Sequence, residues 1–154
     1  MIISGYQGIG KSSLAGSNHC IDLESSNFWI DGFRSDDWYK PYCKIANHLS
    51  EQGYTVFVSS HEVVRKELEK SYEIVFVVFP SLKLKDQWIE RLRKRYEQIP
   101  TEKNFKALAN AEDRYEENIK ELMYGNLTYH EISNINYDLK DIVNILNKAK
   151  RGQI

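Results

Sequence analysis

Apolar and polar positions follow two rhythms along this chain: short unbroken apolar runs, and longer stripes at helical spacing. The run Glu73 to Phe79 predicts the clearest strand, with β-branched and aromatic residues from Ile74 onward and Pro80 closing it. Ile2-Ile3-Ser4, His19 to Leu23 and Tyr54 to Ser59 predict three more, and Tyr129 to Ser133 a last one. Trp38 to Gln52 carries Tyr42, Ile45, Ala46 and Leu49 on one helical face, and Gly53 stops it. Leu84 to Gln98 repeats the pattern with Trp88, Leu92 and Tyr96, as does Leu139 to Lys150 with Ile142, Val143, Ile145 and Leu146. Lys11 to about Gly16 predicts a short helix cut off by Gly16-Ser17-Asn18, and Glu62 to Lys70 another. Lys103 to Tyr124 predicts a long, highly charged helix.

Strand and helix thus alternate almost throughout. That order predicts a doubly wound α/β fold, with a parallel sheet of about five strands and helices on both faces. The region from Arg91 to Tyr124 breaks the alternation and is expected to stand out from the sheet as a helical lid. With 154 residues and no internal repeat, the chain suits one domain.

Composition mainly excludes. Hydrophobic residues make up 42% and charged ones 28%, the balance of a folded chain rather than a disordered one. The formal net charge of -1 gives no global field toward nucleic acid or anionic lipid, so any attraction for phosphate must be local. The acidic stretch Glu112 to Glu121 and the lack of aromatic–basic interleaving argue against a nucleic-acid partner. Ile74 to Phe79, the longest apolar run, is too short to cross a bilayer. Met1-Ile2-Ile3 leads straight into a glycine loop, so no signal peptide is expected. Cys20 and Cys43 lack metal-ligand spacing and are expected to be packing thiols in a reducing, cytoplasmic compartment.

The specific signal is Gly5-Tyr6-Gln7-Gly8-Ile9-Gly10-Lys11-Ser12, which matches G-x-x-x-x-G-K-[ST] at all four fixed positions. Glycines let such a loop wrap a phosphate with its backbone N–H groups, because a side chain would block the approach. The helix that follows turns its positive end toward the same anion. An apolar strand enters the loop and a helix-forming segment leaves it, the context this P-loop requires. The expected ligand is ATP with Mg²⁺. The nucleotide would lie on Gly5, Gly8, Ile9, Gly10, Lys11, Ser12 and Ser13. Lys11 would reach the β- and γ-phosphates, and the Ser12 hydroxyl would hold the metal.

Beyond the loop, the chain resembles small P-loop kinases, including small phage-encoded P-loop proteins. Ala46-x-x-Leu49-x-x-x-Gly53-Tyr54-x-Val56-x-Val58-Ser59 is similar to the matching helix and strand of gluconate and adenylylsulfate kinases. Val77-Val78-Phe79-Pro80-Ser81, then Trp88-x-x-Arg91-Leu92-x-x-Arg95, resembles the strand-to-lid passage of guanylate kinases. Ala111-Glu112 and Asn136-Tyr137-Asp138-Leu139 resemble later parts of that family. The likeness to guanylate and adenylate kinases implies a nucleoside monophosphate, or its deoxy form, as phosphate acceptor. The stretch Ser25 to Trp38, where such a kinase places its acceptor-binding domain, is short here.

Other candidate residues follow from position. Asp22 and Glu24 close the second strand, where an open parallel sheet has its binding crevice, and Asp22 is a candidate for catalysis and for Mg²⁺. Ser59, His61 and Arg65 follow the third strand and are candidate acceptor-binding residues, a guanidinium fork matching phosphate geometry. Arg91 and Arg95 are four apart, share a helical face and suit lid arginines over a triphosphate, whereas Arg93 points elsewhere. Arg114 reads as a solvent-face residue. Two other functions fit the same sequence. One is a kinase of a small hydroxyl metabolite with Asp22 as base; the other is a nucleotide-binding regulatory protein with little turnover, its partner surface on Lys103 to Tyr124.

Overall fold

The computed structural model describes residues 1–16 and 19–152. Five strands form one fully parallel sheet in the order β2-β3-β1-β4-β5. They are β1 (Ile2–Gly5), β2 (Cys20–Asp22), β3 (Thr55–Val58), β4 (Val75–Pro80) and β5 (Thr128–Ile132). The helices are α1 (Lys11–Leu14), α2 (Tyr39–Glu51), α3 (Glu62–Leu68), α4 (Lys85–Gln98), α5 (Glu102–Met123) and α6 (Leu139–Lys150). Each expected element is found to within a few residues. The helix break expected at Gly16-Ser17-Asn18 falls partly on Ser17 and Asn18, which lie outside the described residues.

Side chains alternate across a strand, so register decides which residues share a face. Ile2, Val56 and Val75 are register partners and pack with Tyr42 and Ala46 of α2 and Val64 and Leu68 of α3. Ile3, Phe57 and Phe76 project to the other face, into a cluster that includes Ile142, Val143 and Leu146 of α6. β1 and β4 lie inside the sheet and are buried along their whole length, as two-sided burial demands of parallel strands. Among the described residues, no helix is long and apolar enough to cross a membrane.

The expectation of a protruding lid from Arg91 to Tyr124 needs correction. α5 buries Leu108, Ala111, Tyr115, Ile119 and Leu122, and the Tyr115 hydroxyl donates to Ser81 O at 2.7 Å. α5 is capped by Thr101, whose hydroxyl accepts from Asn104 N at 3.2 Å, and it packs along α4 and against β4. Its charged side chains lie off the buried stripe, some of them along the cleft wall. The apolar stripe beneath, spaced three and four residues apart, holds it to the body.

Candidate active site

β1 ends at Gly5, and the chain turns through Tyr6–Gly10 into α1. Gly8 and Gly10 adopt positive φ, 89° and 100°, which side chains rarely tolerate. Gly8 is also hemmed in: a Cβ there would lie 2.9 Å from Leu92 Cδ2 and 3.2 Å from Trp88 Nε1. α4 therefore backs directly onto the loop.

The loop's carbonyls are tied down from outside. Trp88 Nε1 donates to Gln7 O at 2.9 Å, Arg91 Nη1 to Gly8 O at 3.5 Å, and the Tyr137 hydroxyl to Ile9 O at 2.7 Å. Arg91 lies over the rings of Trp88 and Tyr137, 4.7 and 5.1 Å from their centroids. It also donates to Tyr137 Oη and Ile135 O, both at 2.8 Å. In a planar trans peptide the N–H opposes the C=O, and the described chain has no cis peptide bond. With three successive carbonyls drawn toward these side chains, the N–H groups of Gly8, Ile9 and Gly10 point the other way. That is the polarity an anion requires.

Lys11 extends back along the loop and donates to Gly5 O at 3.4 Å. Burial lowers its pKa, and the nearby carboxylates of Asp22 and Glu24 offset part of that shift. Burial pushes the Asp22 carboxyl above the usual range; Lys11 opposes that and Glu24 adds to it. Burial also disfavours the Glu24 anion, yet the bonds and charge of Lys103 keep its pKa below the ordinary value. Lys103 Nζ lies 2.9 Å from both Glu24 oxygens, a bridge from the start of α5 to the end of β2.

The floor of the site is the C-terminal edge of the sheet. Ser4 Oγ donates to Ser59 O at 2.9 Å. The Tyr42 hydroxyl donates to Leu23 O at 2.6 Å and accepts from Ser59 N at 3.0 Å, so one oxygen fixes the spacing of β2 and β3. Beside it stand cations. Arg65 Nε donates to Ser60 O at 2.9 Å, and the Arg34 guanidinium stacks 3.9 Å from the Trp38 centroid and 4.7 Å from that of Trp29. His61 Nδ1 is 2.8 Å from Ser59 Oγ; desolvation lowers its pKa first, with Arg34, Lys11 and Arg65 adding to the shift.

A single cleft of about 1010 Å³ brings most of the expected residues together. Gly5, Gly8, Gly10, Lys11 and Ser12 line it, as do Asp22, Ser59, His61, Arg65 and Arg95. Ile9 is buried behind the loop, and Ser13 is exposed outside the cleft lining. The structure separates the two arginines that helical spacing pairs: Arg95 reaches the cleft, whereas Arg91 is outside its lining and bonded to Gly8 O, Ile135 O and the Tyr137 hydroxyl. Spacing gave their common face but not the turn of loop that α4 meets at position 91.

Arg34, Lys103, Gln7 and Asn110 also line the cleft and went unnoticed in sequence. Only Arg34 left a signal there, an arginine flanked by Trp29 and Trp38 among acidic residues. Among the described residues no three His, Cys, Asp or Glu side chains group to hold a metal ion unaided. Ser12 and Asp22 nevertheless share the cleft wall. Such a hydroxyl and carboxylate fit Mg²⁺, which takes one or two protein oxygens and completes its shell with phosphate and water. No family model matches the chain, and no curated protein matches its sequence.

Proposed function

We propose that this protein is a P-loop phosphotransferase that moves the γ-phosphate of ATP to a nucleoside monophosphate. The observation that carries the reading is the sharing of one cleft by the glycine loop and a second cationic wall, Arg34 and Arg65. The cleft, about 1010 Å³, lies at the top of the range of roughly 300–1,000 Å³ for small-molecule sites and is lined by both groups.

In this reading the loop N–H groups and Lys11 bind the donor's phosphates, and Arg95 adds charge from α4. Ser12 and Asp22 would hold Mg²⁺, which supplies neutralisation of the β- and γ-phosphate oxygens. Arg34 and Arg65 orient the acceptor's phosphate. One of its oxygens forms the new bond to the γ-phosphorus as the bond to the β,γ-bridging oxygen breaks, and ADP leaves with that electron pair. The acceptor is already anionic, so no base is required. The residues contribute alignment and charge stabilisation.

The test is ATP consumption across a panel of nucleoside monophosphates. ADP should form only with an acceptor, and Lys11→Ala should abolish it. Arg65→Ala should raise the acceptor KM far more than that for ATP. Consumption that ignores the acceptor, or none at all, refutes the reading. The upward shift of Asp22 favours one alternative, a hydroxyl acceptor whose proton Asp22 takes. Asp22→Asn would then abolish turnover and leave ATP binding unchanged.

A further inference from the structure

Part of the cleft wall comes from α5, and α5 does not run straight. Arg114 leaves helical geometry, at φ -136° and ψ 22°, and the helix resumes beyond it. In an unbroken helix, residues eight apart are separated by about 12 Å along the axis, out of reach for two asparagine side chains. Here Asn118 Nδ2 donates to Asn110 Oδ1 at 2.7 Å. The kink folds the two amides together on the cleft side.

Gln7 of the glycine loop joins them. Its Nε2 donates to Asn110 Oδ1 at 3.2 Å and to Ala107 O at 3.0 Å, with Tyr6 Oη at 3.4 Å. An amide offers two donors on nitrogen and two lone pairs on oxygen. Asn110 Oδ1 is saturated by its two donors. The bond to Ala107 O fixes which end of Gln7 is nitrogen, because a carbonyl only accepts. Among the described residues this leaves Asn110 Nδ2 as a donor and Gln7 Oε1 as an acceptor on the wall of the cleft.

The cluster itself carries no charge, in a cleft whose lining also includes Lys11, Asp22, Arg34, Arg65 and Lys103. Neutral amides are poor partners for phosphate beside those cations. They suit an uncharged group that presents an acceptor and a donor side by side, as the edge of a nucleobase does. We infer that Gln7 and Asn110, with Asn118 holding Asn110 in place, read the base of the acceptor and so select which nucleoside monophosphate is used. This rests on the phosphotransfer reading above and adds to it the position at which specificity is set.

The experiment is calorimetric titration of the full chain with the common ribo- and deoxyribonucleoside monophosphates, and separately with ATP. Asn110→Ala and Asn118→Ala are run in parallel, with thermal unfolding as the control for folding. The wild type should prefer one base, and each variant should lose about 3- to 10-fold of that preference, the range of one neutral hydrogen bond. ATP affinity should stay within about 2-fold, since its phosphates lie on the loop's N–H groups. Equal binding of all bases by the wild type overturns the inference, as does a preference that survives both substitutions. So does a loss that falls on ATP rather than on the monophosphates. If ATP binds but no monophosphate does, the inference fails and the glycine-loop assignment stands; if ATP itself does not bind, that assignment fails first.

Discussion

Replacing Gly8 and Gly10 separately with alanine isolates what α4 contributes to the glycine loop. Both residues hold positive φ, so each alanine incurs the left-handed penalty of about 1–2 kcal/mol. Their surroundings differ. A Cβ on Gly10 meets nothing nearer than Leu139 Cδ2 at 3.9 Å, an ordinary contact. On Gly8 it meets Leu92 Cδ2 at 2.9 Å and Trp88 Nε1 at 3.2 Å. Leu92 is 1% exposed and Trp88 fully buried, with the indole N–H engaged, so neither can swing aside without disturbing the core. Overpacking of this kind costs about 1–3 kcal/mol more. Gly8→Ala should therefore lose about 2–5 kcal/mol in total, and Gly10→Ala about 1–2. Urea denaturation followed by tryptophan fluorescence measures both, and a Tm gap of roughly 2–12 °C should separate the variants in a chain of this size. Equal destabilisation would refute the argument, because both sites hold positive φ and only Gly8 has core side chains close behind it.

Two further outcomes are expected. Tyr137→Phe removes the donor to Ile9 O and the acceptor for Arg91, and should lower stability by about 1–3 kcal/mol in urea titrations while weakening ATP binding; a variant matching wild type in both measurements contradicts the anchoring role. Asp22 titrates above its ordinary 3.8, chiefly through burial, so the native state holds its proton more tightly than the unfolded chain. Its contribution to stability is then fully present below that value and lost as pH rises through the native pKa. The free-energy difference between wild type and Asp22→Asn, measured by denaturation from pH 4 to 8, should move against wild type with rising pH and then level off. A flat profile, or the opposite slope, contradicts the sign.

The sheet was readable because two-sided burial leaves a continuous apolar signature, and Val75–Pro80 carries it without interruption. The glycine loop was readable because its turn needs glycine where φ is positive, at Gly8 and Gly10, between a strand and a helix. α5 misled because charge dominates its composition, while the apolar positions from Leu108 to Leu122 that hold it down are fewer and further apart. Arg91 misled for a different reason: spacing assigns a face of a helix but not the neighbour that face meets. The cluster of Gln7, Asn110 and Asn118 had no local signature at all. It depends on a break at Arg114 that no glycine or proline announces, and on a contact spanning 103 residues of chain.

The anchoring of the loop's carbonyls has a consequence for biogenesis. Ile9 and its partner Tyr137 lie 128 residues apart, with Trp88 and Arg91 between them in sequence. Synthesis runs from N- to C-terminus, so the glycine loop is made well before Trp88, Arg91 and Tyr137, the side chains that hold its carbonyls. Until Tyr137 is outside the exit tunnel, Gly5 to Ser12 lack part of the scaffold that orients their peptide groups. The fixed geometry of the loop therefore arrives late in synthesis, long after its own residues.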